Sequence, residues 1–169
     1  MSEFDPASVE FGGIVTQLTV PSVDAAVKFY AAAFGASELY RNRDTLSGRI
    51  VYCELSVGAA RVTLHEEFVE YGLPTPATLG GTAVTLNLHL PDVDAVYDRA
   101  VAAGAEIIMR PVNRFWGARS GALLDPFGHR WVLTTMRHDP SPQEIVESSK
   151  GASPYMRLSA ARPPKTGSE

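Results

Sequence analysis

The feature that most constrains this chain is an internal repeat. The stretch TQLTVPSVDAAVKFYAAAFGASE, from Thr16, returns as LNLHLPDVDAVYDRAVAAGAE, from Leu86. Pro21 aligns with Pro91, Val23-Asp24-Ala25 with Val93-Asp94-Ala95, and Gly35-Ala36 with Gly104-Ala105. The offset is 70 residues at the leading segment and 69 after the following one, so the two copies differ by a single residue along the matched stretch. Self-similarity at a fixed spacing means that one supersecondary unit has been used twice.

Each copy opens with a strand pattern. Leu86, Leu88 and Leu90 alternate with Thr85, Asn87 and His89, giving one apolar and one polar face. A helix follows, with Ser22 or Asp92 placed to cap it. Val23, Ala26, Val27, Tyr30 and Phe34 form its apolar stripe in the first copy, and Val93, Val96, Ala100 and Val101 in the second. Gly35 and Gly104 stand where a helix end calls for the left-handed conformation. Three short strands then follow, at 39–43, 49–57 and 61–65 and again at 106–110, 120–124 and 130–135. The expected fold is therefore α+β, built from two tandem βαβββ modules at 12–66 and 82–137.

Between the modules lies a connector, 67–81, with Pro74, Pro76 and a Gly80-Gly81 pair. Its length is that of a lid or a flexible link. Residues 138–169 hold five of the twelve prolines and few aliphatic side chains. That segment buries too little to offset its ordering entropy, so it is expected to be mobile apart from a short helix at 143–148.

With 45 % apolar and 20 % charged residues, the chain can bury a core. Its net charge of −4 lacks the basic footprint of a nucleic-acid binder. No apolar run approaches the roughly 18 residues that span a bilayer. The opening MSEFDPASVEF is acidic, with none of the basic and apolar pattern of a secretory signal. The single cysteine, Cys53, excludes an internal disulfide and a thiolate metal cluster. The expectation is a cytoplasmic protein whose partner is a small molecule, not nucleic acid or membrane.

Several local motifs sharpen this. Phe29-Tyr30 and Phe34-Gly35-Ala36 lie on the first helix, FWGAR runs from Phe115 to Arg119, and DPFGHRW runs from Asp125 to Trp131. Together with the doubled βαβββ unit, they resemble the vicinal oxygen chelate superfamily of glyoxalase I, bleomycin-resistance proteins and extradiol dioxygenases, over residues 12–137. The last two motifs are similar to signatures of its phosphonate-operon-associated branch. The resemblance implies modules that curl into a U-shaped cavity completed in a homodimer. It also implies where metal-dependent members hold their ligands: five residues before the hydrophobic that ends each first strand, and four after the turn glycine before each last strand. Here those positions are Val15 and Thr85, and Val62 and Val132. Valine offers no donor and a lone threonine hydroxyl is a poor ligand, so neither metal nor other cofactor is expected. His65, His89, His129 and His138 form no HxH or HExxH spacing either.

Strand alternation from Val15 and Thr85 puts Gln17, Thr19, Asn87 and His89 on the cavity side. The same count selects Arg130 and Thr134 beside Val132, and Leu64 beside Val62. His89 is the acid–base candidate, since imidazole titrates near pH ~6.5; its alternative is a hydrogen-bonded rim residue. Glu54 is a second catalytic candidate, or a partner for Arg49 or Arg61, or a solvated group. Tyr52 stands where the resembled branch often has histidine. Phe115 and Trp116 either stack on a planar ligand or pack as core or dimer contacts. Arg119 either binds an anionic group or braces Asp125. The turn Asp125–Gly128 needs no catalytic role, and Cys53 reads as a small buried strand residue.

Two functions fit this pattern. One is a metal-free protein that binds a hydrophobic or aromatic molecule, antibiotic or metabolite, in a dimeric cavity, as the likeness to bleomycin-resistance proteins implies. The other is a metal-free lyase, isomerase or cyclase of secondary metabolism, with His89, Glu54 and Arg130 as agents. A metal-dependent glyoxalase or dioxygenase requires the missing ligands.

Overall fold

The computed structural model describes residues 14–150. The first module consists of β1 (Thr16–Val20), α1 (Val23–Phe34), β2 (Ser37–Arg43), β3 (Ile50–Val57) and β4 (Ala60–Glu66). Its sheet has the order β1-β4-β3-β2, with β1 parallel to β4. A 3-10 turn (Val69–Tyr71) and a one-turn helix, α2 (Pro76–Leu79), form the connector. The second module repeats the plan with β5 (Thr85–His89), α3 (Val93–Ala102), β6 (Glu106–Asn113), β7 (Ala118–Leu124) and β8 (Arg130–Met136), in the order β5-β8-β7-β6. The chain is thus an α+β fold of two tandem βαβββ modules.

The helix ends are set by the residues that the sequence marks. Ser22 accepts a hydrogen bond from the Ala25 amide and Asp92 from the Ala95 amide. Gly35, at φ +69°, closes α1 in the left-handed region. Each helix packs on one face of its own sheet, and α1 and α3 pack on each other, so both modules share one hydrophobic core. Leu18, Val20, Cys53, Leu55 and Leu64 reach it from the first sheet, and Leu88, Leu123, Trp131 and Leu133 from the second.

The modules are clasped by Asp125, which is buried. Its Oδ1 accepts from the Phe127 and His129 amides at 3.0 and 2.9 Å. Its Oδ2 accepts from Trp131 Nε1 at 2.9 Å and, across the module boundary, from Tyr30 Oη at 2.6 Å. Burial beside this carboxylate raises the Tyr30 phenol well above its ordinary pKa. Phe127 sits edge-on to Phe29 and Tyr30, and His129 Nε2 lies 3.0 Å from the Thr19 carbonyl oxygen. The FY pair of α1 and the DPFGHRW turn therefore form one device that locks the modules together.

One expectation about β4 is corrected. Val62 and Leu64 do not face the open side of the sheet: both belong to the core, and Thr63 and His65 face outward in their place. Gly58 begins a two-residue turn between Val57 and Ala60, whereas Gly128 is the fourth residue of the longer turn between Leu124 and Arg130. The same count from the glycine therefore lands on opposite faces, because side-chain direction alternates with every residue.

The connector is folded rather than a loose link. Glu67 accepts from the Thr75 amide at 2.7 Å and from the hydroxyls of Thr75 and Thr78. Arg49 pairs with Glu70, donates to the Glu67 carbonyl oxygen and lies 3.9 Å over the Phe68 ring. Pro76 then packs on the DPFG turn, where a Cβ at Gly128 would stand only 2.9 Å from it. Of the segment expected to be mobile, residues 138–150 are described. His138 and Pro140 pack against Gly117, and α4 (Pro142–Ser149) begins with a capping box between Ser141 and Glu144. The remainder lies outside the described residues.

Candidate functional site

Each sheet gives one face to its helix and leaves the other without a covering layer. On the second sheet the strand registers arrange the open face as three rows running across the strands. The first row joins His89 on β5, Thr134 on β8 and Ser120 on β7. The second joins Asn87, Val132, Ala122 and Met109, and the third Thr85, Arg130, Leu124 and Glu106. Rows on one face of a sheet lie about 7 Å apart and neighbouring strands about 4.8 Å apart. The face is thus a largely apolar central row between two polar ones.

The hairpin turn between β6 and β7 folds over the first row. Arg114 Nε donates to Ser120 Oγ at 2.8 Å, and its Nη2 lies 2.8 Å from Met109 Sδ. Its guanidinium stands 5.5 Å from the Trp116 ring centre, and Phe115 meets Trp116 edge-on at 4.8 Å. Desolvation lowers the Arg114 pKa. Ser120 and Thr134 are buried, while Asn87 and His89 remain exposed.

At the opposite end the connector forms a wall. Gly80, Gly81, Ile108, Leu124 and Arg130 border a cleft of about 330 Å³, and Arg130 Nε is buried there without a hydrogen-bond partner. A neighbouring cleft of about 320 Å³ runs along β1, between Gln17, Thr19, Leu79, Val84 and His129.

The open face of the first sheet is different in character. Glu54 pairs with Arg61 and lies 3.3 Å from Tyr52 Oη, which faces Tyr40 with ring centres 6.1 Å apart. His65 is buried, its Nδ1 on the Glu66 carbonyl oxygen at 2.8 Å and its Nε2 on Thr19 Oγ1 at 3.1 Å.

The candidate residues fall into three groups. His89, Asn87, Arg130 and Thr134 share the second sheet's open face, and Trp116, with Phe115 edge-on to it, stands beside Arg114, whose Nε reaches Ser120 of that face. Gln17, Tyr52 and Glu54 lie on the first sheet's open face. His89 and Glu54 therefore belong to different sheets, and no hydrogen bond joins them, so the chain does not assemble them as an acid–base pair.

Arg119 is on the helix-facing side of β7 and corrects its assignment. It holds Asp94 of α3 in a two-pronged ion pair at 2.7 and 2.6 Å, neither bracing Asp125 nor facing a ligand. The pair raises the Arg119 pKa and lowers that of Asp94. Arg114 and Ser120 were not singled out from sequence, and His65 entered only among the histidines that show no metal-ligand spacing. Arg114 had one available signal, its place immediately before the FWG motif.

The positions that hold metal in metal-dependent relatives do not fit one here. Val15 and Val132 carry no donor, Thr85 one hydroxyl, and the first-module position on β4 is filled by core-facing Val62, with Thr63 beside it on the open face. Among the described residues no three His, Cys, Asp or Glu side chains converge.

Comparison with known proteins agrees with this architecture. The chain is 37 % identical over 139 residues to an uncharacterized protein of Mycobacterium tuberculosis, covering 79 % of this chain and 81 % of that one. Among solved structures it is similar to TioX from Micromonospora sp. ML1, at 26 % identity and a TM-score of 0.57, over 77 % of this chain and all of that one. A gene product of Arabidopsis thaliana is 29 % identical, with a TM-score of 0.53 over 73 % of this chain and 98 % of that one. The fosfomycin resistance protein FosX from Listeria monocytogenes shares the fold at 20 % identity, with a TM-score of 0.58 over 81 % of this chain and 99 % of that one. The profile of the Glyoxalase/Bleomycin resistance protein/Dioxygenase superfamily matches residues 14–133, and the chain belongs to that superfamily.

Proposed function

We propose that this protein binds an apolar or aromatic small molecule, antibiotic or metabolite, on the open face of the second sheet without the help of a metal. The reading places it with the bleomycin-resistance type and, on Phe115–Arg119 and Asp125–Trp131, with the phosphonate-operon-associated branch. A second copy of the chain covers the face in a cytoplasmic homodimer. The observation that carries the proposal is the make-up of that face: an apolar row of Val132, Ala122 and Met109 flanked by sparse polar groups, with Arg114 and the Trp116 ring beside it at the Ser120 end. Small-molecule sites have this character, with apolar walls and a few placed polar atoms. The unfitted ligand positions support metal independence.

Native mass spectrometry of the purified protein tests the reading. The expected result is a dimer that retains an organic ligand, which Trp116→Ala releases. A divalent metal bound stoichiometrically to each subunit would overturn it.

A further inference from the structure

Arg114 is a cation in surroundings that offer it no anion. Its two polar contacts are a serine hydroxyl and a thioether, both neutral, and a guanidinium has five N–H donors to place. Among the described residues no carboxylate lies within ion-pair distance of it. Arg130, two rows away on the same face, likewise has no carboxylate partner, and its Nε is buried and unpaired. The acidic residue nearest to Arg130 along its row, Glu106, is exposed on the second strand over and pairs with neither. Elsewhere Arg41 holds Asp24 and Glu38, Arg49 holds Glu70, Arg61 holds Glu54, and Arg119 and Arg137 hold Asp94, while Arg43, Arg99 and Arg110 have no carboxylate partner but are exposed to solvent. Among the described residues, the partly buried guanidinium groups that lack a carboxylate partner are thus both at the face proposed to bind ligand.

A partly desolvated cation left without a counter-charge is costly, and it becomes favourable when an anion completes it. Arg114 is also oriented: Ser120 fixes Nε, and the Trp116 ring stands beside the guanidinium plane. A planar fork held this way suits a carboxylate, which accepts two parallel N–H bonds. Resting on the ligand-binding reading above, we infer that the ligand is an organic acid. Its carboxylate meets Arg114 over the His89–Thr134–Ser120 row, and its apolar or aromatic body lies across Val132 and Ala122 toward Arg130.

The test compares 2-naphthoate with 2-naphthamide, two probes of the same ring and nearly the same shape that differ in charge. Binding is followed by tryptophan fluorescence and calorimetry on the full chain. The acid is expected to bind at least about tenfold more tightly, the range of a charge-assisted hydrogen bond. Arg114→Met should shrink the difference between the two probes to within about twofold, and Arg114→Lys should retain part of it. Raising NaCl from about 0.05 to 0.5 M should weaken the acid alone, a result that needs no variant. Equal affinity of the two probes for the wild-type chain overturns the inference and leaves the aromatic-binding reading standing. Binding of neither probe at millimolar concentration defeats both. Discrimination that survives in Arg114→Met shows that another group holds the acid and also overturns the inference.

Discussion

Removing the Asp125 carboxylate should damage this protein more than any single change on the open faces. The residue is 4 % exposed and its carboxylate accepts four hydrogen bonds, two from backbone amides and two from Tyr30 and Trp131. In Asp125→Ala all four donors lose their acceptor inside the core. At about 1 kcal/mol or somewhat more for each buried donor left unsatisfied, the loss is about 4–6 kcal/mol. That is a large part of the roughly 5–15 kcal/mol by which a domain is stable. Asp125→Asn keeps an acceptor for the two backbone amides but turns an NH2 group toward the Trp131 N–H, which can only donate; about 2–3 kcal/mol is expected. Tyr30→Phe removes a single partner and should cost about 1–1.5 kcal/mol. The decisive quantity is the coupling between Asp125→Ala and Tyr30→Phe, measured by urea denaturation followed by far-UV circular dichroism. The double variant no longer buries an unpaired phenol, so the two costs should fall short of additivity by about 1 kcal/mol. Additive effects, or an Asp125→Ala cost below about 2 kcal/mol, would refute the clasp.

Three further outcomes follow from particular contacts. Gly128→Ala forces a side chain into φ +90° and places its Cβ 2.9 Å from Pro76 Cβ, so calorimetry should show a loss of about 2 kcal/mol or more. The Cys53 thiol, fully buried in the core and raised to about 11, should resist a disulfide reagent at pH 8 until the protein unfolds; prompt labelling of the native chain contradicts its burial. Hydrogen bonds from Thr75 and Thr78 hold the Glu67 carboxyl below its ordinary value of 4.5. The anchoring of the connector by this group is complete above that pH and is lost as pH falls through the lower, folded value. Amide exchange at Thr75 should accelerate there in the wild type, and Glu67→Ala, which removes the acceptor, should be fast already at neutral pH.

Most of the architecture was legible because the fold writes itself twice. The Ser22 and Asp92 caps, the apolar stripes and the alternating strands are local signals, and the repeat confirms each from the other copy. The error on β4 arose where that support stopped. Two turns of different length separate equivalent strands, and one residue of miscounting sends Val62 and Leu64 to the wrong face. Partnerships distant in sequence were not legible either. Arg119 reaches Asp94 on α3, and Tyr30 reaches Asp125 over 95 positions, contacts that no spacing announces. Nor does sequence reveal an unpaired cation, because Arg114 differs from Arg119 only in what surrounds it once the strands have paired.

The central claim is that the open face of the second sheet is the ligand-binding surface. Nuclear magnetic resonance mapping of the labelled protein, titrated with 2-naphthoate, tests it most directly. The account predicts perturbations centred on Asn87, His89, Val132, Thr134 and the Trp116 indole, with the first sheet's Tyr40 and Tyr52 unmoved. Shifts confined to the first sheet, or to the cleft along β1 beside Gln17 and Leu79, would contradict it.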